Sequence, residues 1–362
     1  MTEVILFQEV CCDNGKKIAI ATLNAERSLN ALSGNMINLL YPQLIDWQQD
    51  DDVVLVLLQG AGDKAFCAGG DIVHLYQEMR DYVGDYAPEI ERYFTKEYQL
   101  DYLIHTFSKP FIVWGTGIVM GGGLGMMVGA SHRVVTETSR LAMPEISIGL
   151  YPDVGGTWFL NRMPEHCGLF LGLTGASINA ADAKYTGLAD FFISSDKKST
   201  LIESLKTVNW GDTIALNHDK LSQVMHDIEV VSLTKSPNSN LKAQQNLIAE
   251  VTEHDNLAKI IEAIVNTSID DPWFNKAQRS LRQGSAISEH IVYRQLQIGK
   301  NLSLADCFKM ELNLSVKAGK FGEFSEGVRA LLIDKDNQPQ WQFSDVDKVD
   351  VSIIDWFFES KW

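Results

Sequence analysis

Two short apolar runs in the first 200 residues each end in consecutive glycines that open a helical pattern, and this limits the chain to folds that stack strands against helices. Residues 18–23, 53–58 and 111–114 predict buried strands, being short, rich in β-branched or aromatic residues and bounded by turn residues. Between them, 35–49 predicts a helix with Met36, Leu39, Leu40, Leu44 and Trp47 near one face, and a second helix is expected over about 89–107. From about residue 206 amphipathic stretches such as 255–267 and 286–299 take over, joined by polar segments. The expectation is an α/β layered core over 1–205 and a mainly helical region over 206–362. No Gly/Ser-rich linker separates them, so the helical part should pack on the core.

A chain of 362 residues, 45% hydrophobic, can bury a full enzyme core. The start MTEVILFQEVCC has no basic stretch ahead of its apolar residues, so it does not read as a secretory signal. No apolar run approaches the roughly 20 residues of a membrane helix, so no membrane association is expected. The five cysteines, Cys11, Cys12, Cys67, Cys167 and Cys307, form no CxxC pair and no zinc-ligand spacing with the histidines. They read as reduced thiols in a cytoplasmic protein without a metal. A net charge of −16 disfavours nucleic acid as a partner, and any polyanionic ligand would need backbone amides or helix N-termini to hold it.

Three glycine-bearing segments carry the chemistry: 64–72, 117–130 and 142–156. In the first, Gly69-Gly70-Asp71 leads from a strand into a helix that Asp71 is placed to cap. In the second, a strand through Val113 and Ile118 meets Gly121-Gly122-Gly123 before a helix of small residues. Each alone also fits an ordinary tight turn. As a pair they offer two backbone amides at helix starts, which is what a thioester carbonyl needs as it becomes an oxyanion. The third segment sets Glu145 among apolar neighbours, where its basicity would rise, and places Asp153 either in a pocket or as the cap of a helix near Thr157. Glu97 lies near the apolar face of its helix, fitting either a functional acid or a core hydrogen bond. The GxGxxA match at Gly60–Ala65 lacks the following helix, and no GxSxG elbow or Walker A loop is present.

The blocks Phe66-Cys67-Ala68-Gly69-Gly70-Asp71-Ile72, Met120-Gly121-Gly122-Gly123 and Met143-Pro144-Glu145 resemble the signatures of the enoyl-CoA hydratase/isomerase (crotonase) superfamily. The resemblance implies a crotonase-like spiral of ββα units and an acyl-coenzyme A ligand whose thioester oxygen meets the amides of Gly70 and Gly122. It further implies contacts to coenzyme A from the loops carrying Ala25, Arg27, Ala68, Asp71 and Ile72. Members often form homo-oligomers.

One departure matters for chemistry. Where hydratases of the superfamily keep a second glutamate, this chain has Gly125, and Asp153 stands where they keep glycine. Together with Glu97-Tyr98, Pro152–Gly156 and the downstream block 324–336, the pattern is similar to the 3-hydroxyisobutyryl-CoA hydrolase family. That similarity implies hydrolysis of a 3-hydroxyacyl-CoA in valine catabolism without a further cofactor. Glu145 and Asp153 would be catalytic, and Glu97, Gly122, Glu145 and Asp153 would bind substrate.

Overall fold

The computed structural model describes residues 3–164 and 166–362, so Met1, Thr2 and Glu165 fall outside the description. The chain forms two units that interleave along the sequence: residues 1–70, 99–141 and 178–239 build one, residues 71–98, 142–177 and 240–362 the other. The position 205/206 falls inside the last segment of the first unit, within the helix Lys198–Thr207.

In the first unit, β1 (Ile5–Cys11), β2 (Lys17–Leu23), β3 (Val53–Gly60), β5 (Phe111–Gly115), β7 (His132–Val135) and β9 (Phe191–Phe192) form a six-stranded sheet in that order. The first pair is antiparallel and the others are parallel. Val53 through Leu58 are buried without alternation, as expected of a strand covered on both faces. On one side Ile20, Leu57, Trp114 and Val134 join a cluster with Leu205, Leu221 and Met225 from the helices Lys198–Thr207 and Ile214–Ser232. Of the helical texture beginning near residue 206, the part up to residue 239 is thus a cover for this sheet. Strand β1 escaped the sequence reading because it is an edge strand with mostly exposed side chains and no buried face to announce it. Helix α1 (Gly34–Gln49) starts where the Ser33 side chain accepts the Met36 amide, and buries Met36, Ile37, Leu40, Leu44 and Trp47. Leu39 points outward, against expectation.

A second sheet of three strands, β4 (Ala65–Cys67), β6 (Ile118–Met120) and β8 (Arg140–Ala142), carries the glycine turns. The single strand expected through Val113 and Ile118 is broken in two, with β5 and β6 in different sheets. The break is at Gly117, whose φ of 62° is left-handed and where a Cβ would lie 2.2 Å from the Lys64 carbonyl oxygen. Strands β4 and β6 pair in parallel, Ala65 opposite Ile118 and Cys67 opposite Val119, so both run out at the same end.

The second unit is helical. It contains α2 (Ile72–Asp81), α3 (Pro88–His105) as far as Tyr98, a 3-10 turn Glu145–Ile148 and the short α5 (Gly156–Leu160). Later helices include Leu257–Asn266, capped by Asn256, and Ala286–Gly299, capped by Ser285. Among the described residues no helix is long and apolar enough to cross a membrane.

Another helix of the first unit, α4 (Gly122–Gly129), rests on β4 so closely that a Cβ at Gly123 would lie 2.4 Å from the Cys67 carbonyl oxygen. Gly123→Ala must therefore push one backbone off the other. The expected result is a loss of about 1–3 kcal/mol of stability, read as a lower melting temperature in a thermal denaturation series.

Candidate active site

In the first unit, Gly122 is the first residue of α4, so its amide has no acceptor within the helix and sits at the positive end of the dipole. The amides of Leu124 and Gly125 both turn back to the Gly121 carbonyl, at 2.8 and 3.0 Å. Gly70 forms an isolated parallel bridge with Leu32, whose amide donates to the Gly69 carbonyl at 2.8 Å. A Cβ at Gly69 would lie 3.4 Å from the Met120 carbonyl oxygen and 3.9 Å from the Gly121 Cα. The parallel pairing of β4 and β6 thus sets the turns of Gly70 and Gly122 against each other.

The loop after β2 is fastened to the same place. The Ala68 amide donates to the Leu29 carbonyl at 3.1 Å. Asn30, buried with a left-handed φ of 56°, accepts from the Ala25 amide at 3.0 Å and donates to the carbonyls of Ala61 and Ala65 at 3.0 and 2.9 Å. Ala25 and Ala68 are half-buried and Arg27 is exposed on the 3-10 turn Glu26–Ser28. Asn30 was missed in the sequence, since a lone Asn after a polar loop carries no pattern.

The acids stand in the second unit. Glu97 on α3, Glu145 at the head of its 3-10 turn and Asp153 in the loop before α5 are 2%, 5% and 4% exposed. Burial, then the charge of Asp153, pushes Glu97 and Glu145 well above the ordinary carboxylate range, and Glu97 also raises Glu145. A Tyr93 hydroxyl opposes the shift at Glu97. Burial raises Asp153 to about 6 against the pull of its hydrogen bond from Tyr98. The Oε2 oxygen of Glu145 is buried and has no hydrogen-bond partner among the described residues.

Neither capping role expected for an aspartate holds. Asp71 precedes α2, half-buried beside Ile72, yet its side chain makes no cap bond. Asp153 accepts from the Tyr98 hydroxyl at 2.6 Å, leaving the start of α5 to Glu311, whose carboxylate takes the amides of Gly155 and Thr157 at 2.8 Å each. Capping a five-residue helix across 154–156 positions of sequence lies beyond any local pattern. Glu311 carried one sign all the same: Cys307, Phe308, Leu314 and Ser315 share its helical face, the argument that marked Glu97. Burial lifts Glu311 to about 8, and its amide donors hold it down.

Behind Asp153 the Tyr98 hydroxyl lies 2.7 Å from Ser315 Oγ, which lies 2.8 Å from the Tyr151 hydroxyl, and Tyr151 donates to the Glu311 carbonyl at 2.5 Å. The Tyr98 ring is held between Phe94 and Phe308 at 5.7 and 5.8 Å. Among the described residues no three His, Cys, Asp or Glu side chains are grouped to hold a metal ion. A separate cavity of about 340 Å³ in this unit, between Leu160, Thr252, Tyr293 and Lys300, contains none of these acids.

A carboxyl raised by burial destabilises the fold once ionised. Asp153 rises from 3.8 to about 6, so the folded chain holds the extra proton between those values and stability falls as pH rises through that window. Asp153→Asn should therefore be more stable than the parent above pH ~6, by on the order of 2 kcal/mol, with the gap closing toward pH ~4. Melting temperatures of the two proteins across that range check the sign.

A family model described as enoyl-CoA hydratase/isomerase matches residues 18–358. The mitochondrial 3-hydroxyisobutyryl-CoA hydrolase of Danio rerio is 37% identical over 97% of this chain and 90% of its own. The small ribosomal subunit protein mS47 of Neurospora crassa is 33% identical over 90% of this chain and 66% of its own. The crystal structure of an enoyl-CoA hydratase from Rhodobacter sphaeroides matches with a TM-score of 0.84 at 30% identity, over 99% of this chain and 98% of that one. The expected cytoplasmic location is overturned by the hydrolase relative, which is named mitochondrial. The cysteines are indeed free, but free thiols do not distinguish one reducing compartment from another. With a crotonase-type α/β fold and a helical C-terminal part, the chain belongs to the enoyl-CoA hydratase/isomerase family.

Proposed function

We propose that this chain hydrolyses the thioester of a short 3-hydroxyacyl-coenzyme A, with 3-hydroxyisobutyryl-CoA, an intermediate of valine catabolism, as the favoured substrate. The observation that carries this reading is the lone, buried Glu145 with an unfilled carboxylate oxygen, in a chain that has glycine at residue 125. Hydration of an enoyl group needs an acid and a base to deliver both parts of water. Buried Gly125 supplies neither. The hydrolase name of the Danio rerio relative points the same way.

The roles divide by chemistry. The amides of Gly70 and Gly122 take the thioester oxygen as it gains negative charge, each such donor being worth about 3 kcal/mol of barrier. Glu145, made more basic by burial, removes a proton from water as it attacks, or attacks itself to give a transient anhydride that water opens. Both routes release the free acid and coenzyme A and call for no cofactor. Asp153, with Glu97, receives the 3-hydroxyl of the acyl group. Ala25, Arg27, Ala68, Asp71 and Ile72 flank the coenzyme A moiety, where backbone amides offset the chain's overall negative charge.

A second reading rests on the 33% identity to mS47, a protein named for a ribosomal subunit: an acyl-CoA fold that binds without turnover. Free-thiol release from a panel of acyl-CoA thioesters separates the two. Release is expected from 3-hydroxyisobutyryl-CoA and at least about tenfold slower from isobutyryl-CoA, which lacks the hydroxyl. Crotonyl-CoA should keep its enoyl absorbance. Glu145→Gln should stay folded and lose at least about 100-fold in kcat; near-parental hydrolysis by that variant sinks the mechanism.

A further inference from the structure

The oxygens behind Asp153 follow one another at short distance: Asp153 Oδ2, the Tyr98 hydroxyl, Ser315 Oγ, the Tyr151 hydroxyl and the Glu311 carbonyl form a row separated by 2.6, 2.7, 2.8 and 2.5 Å. Every separation is a hydrogen-bond distance, so the row has four contacts to fill. The three hydroxyls bring one proton each, and the carbonyl brings none. With Asp153 ionised, Tyr98 donates to Asp153 and Tyr151 to the carbonyl, and the single Ser315 proton must serve two contacts. One buried pair of oxygens is then left facing lone pair to lone pair, which costs free energy in this environment. One more proton completes the row. With Asp153 protonated, each oxygen donates to the next from Asp153 to the Glu311 carbonyl.

The groups that face Asp153 offer no countercharge. They are Glu97 and Tyr98 from α3, Glu145 from the 3-10 turn, Tyr151 from its own loop and Glu311 from the helix Leu304–Phe321. The helix Ala286–Gly299 adds only the uncharged Gln295, which donates to the Pro152 carbonyl at 3.0 Å. Among the described residues the Oε2 oxygen of Glu145 meets no hydroxyl, and Glu97 takes a hydrogen bond from Tyr93. From this count we propose that Tyr98, Ser315 and Tyr151 are positioning residues that favour the protonated form of Asp153 and so lessen the negative charge beside Glu145. The inference rests on the hydrolase reading above and deepens it: a neutral Asp153 still accepts a substrate hydroxyl at its other oxygen and puts no negative charge beside the base.

Removing one hydroxyl takes away two contacts and one proton, which cancels the shortage. In Ser315→Ala the row falls to two contacts with two protons, and in Tyr151→Phe to two contacts with two protons, so ionised Asp153 is satisfied in both. Asp153 should then titrate about one pH unit lower, a tenfold change in proton affinity. Ser315→Thr keeps the hydroxyl and should titrate like the parent. The direct measurement is an isotope-edited infrared titration of the aspartate carboxyls in the full chain, with Asp153→Asn identifying the band. A charged Asp153 makes Glu145 harder to ionise, so the rising limb of kcat/KM against pH should move up by about one unit in Ser315→Ala and Tyr151→Phe while the Asp153 band moves down. Simple loosening of the packing gives no such opposed pair. An unchanged Asp153 titration in both variants, or an upward one, overturns the proposal. Absence of thiol release by the parent would instead remove the hydrolase reading, and the infrared titration would still decide the proton count.

Discussion

The second unit is organised by the cost of taking carboxylates out of water. Glu97, Glu145, Asp153 and Glu311 are all nearly inaccessible, and an ionised carboxylate without partners in such a place costs several kcal/mol. The fold answers them unequally. Among the described residues Glu311 receives two backbone amides, Asp153 a phenol and its own backbone amide, Glu97 a hydrogen bond from Tyr93, and Glu145 its own backbone amide, with Oε2 unmet. The best-served carboxylate holds the loop in shape. The worst-served one is the group to which the proposed mechanism gives the reaction, in a unit that packs Phe94 against Phe324 and Phe308 against Tyr98.

In the first unit the corresponding constraint is strand direction. Two parallel neighbours must end at the same edge, so two glycine turns that lie about 50 residues apart in the chain become neighbours without any side chain arranging it. Amides presented this way are rigid, because moving one means breaking a sheet. Asn30 adds a pin from the other side through three hydrogen bonds to backbone.

What could be read from the sequence was whatever leaves a local trace. Strands β2, β3 and β5 are runs of buried residues, Glu97 is an acid on an apolar helical face, and the glycine pairs mark the turns. Partnerships left no trace. Tyr98 meets Asp153 across 55 residues and Ser315 across 217, and nothing within one helical turn of either side reveals the other. The capping expectation for Asp153 failed for the same reason: it sits at the right offset, but it is claimed by a phenol from another helix, and the amides it would have capped are claimed by Glu311. The strand predicted through Val113 and Ile118 was split by a left-handed Gly117 that an apolar window passes over.

The interleaving of the two units also sets an order in time. A ribosome delivers Glu97 and Tyr98 more than 200 residues before Glu311 and Ser315, and the first unit can complete its sheet once Phe191 and Phe192 have emerged. Until the helix Leu304–Phe321 arrives, Tyr98 lacks its Ser315 neighbour and the start of α5 lacks its Glu311 carboxylate. The surroundings of the buried acids are therefore completed last, although Glu97, Glu145 and Asp153 are translated early, and a chain cut before this helix carries those acids without the groups that hold them.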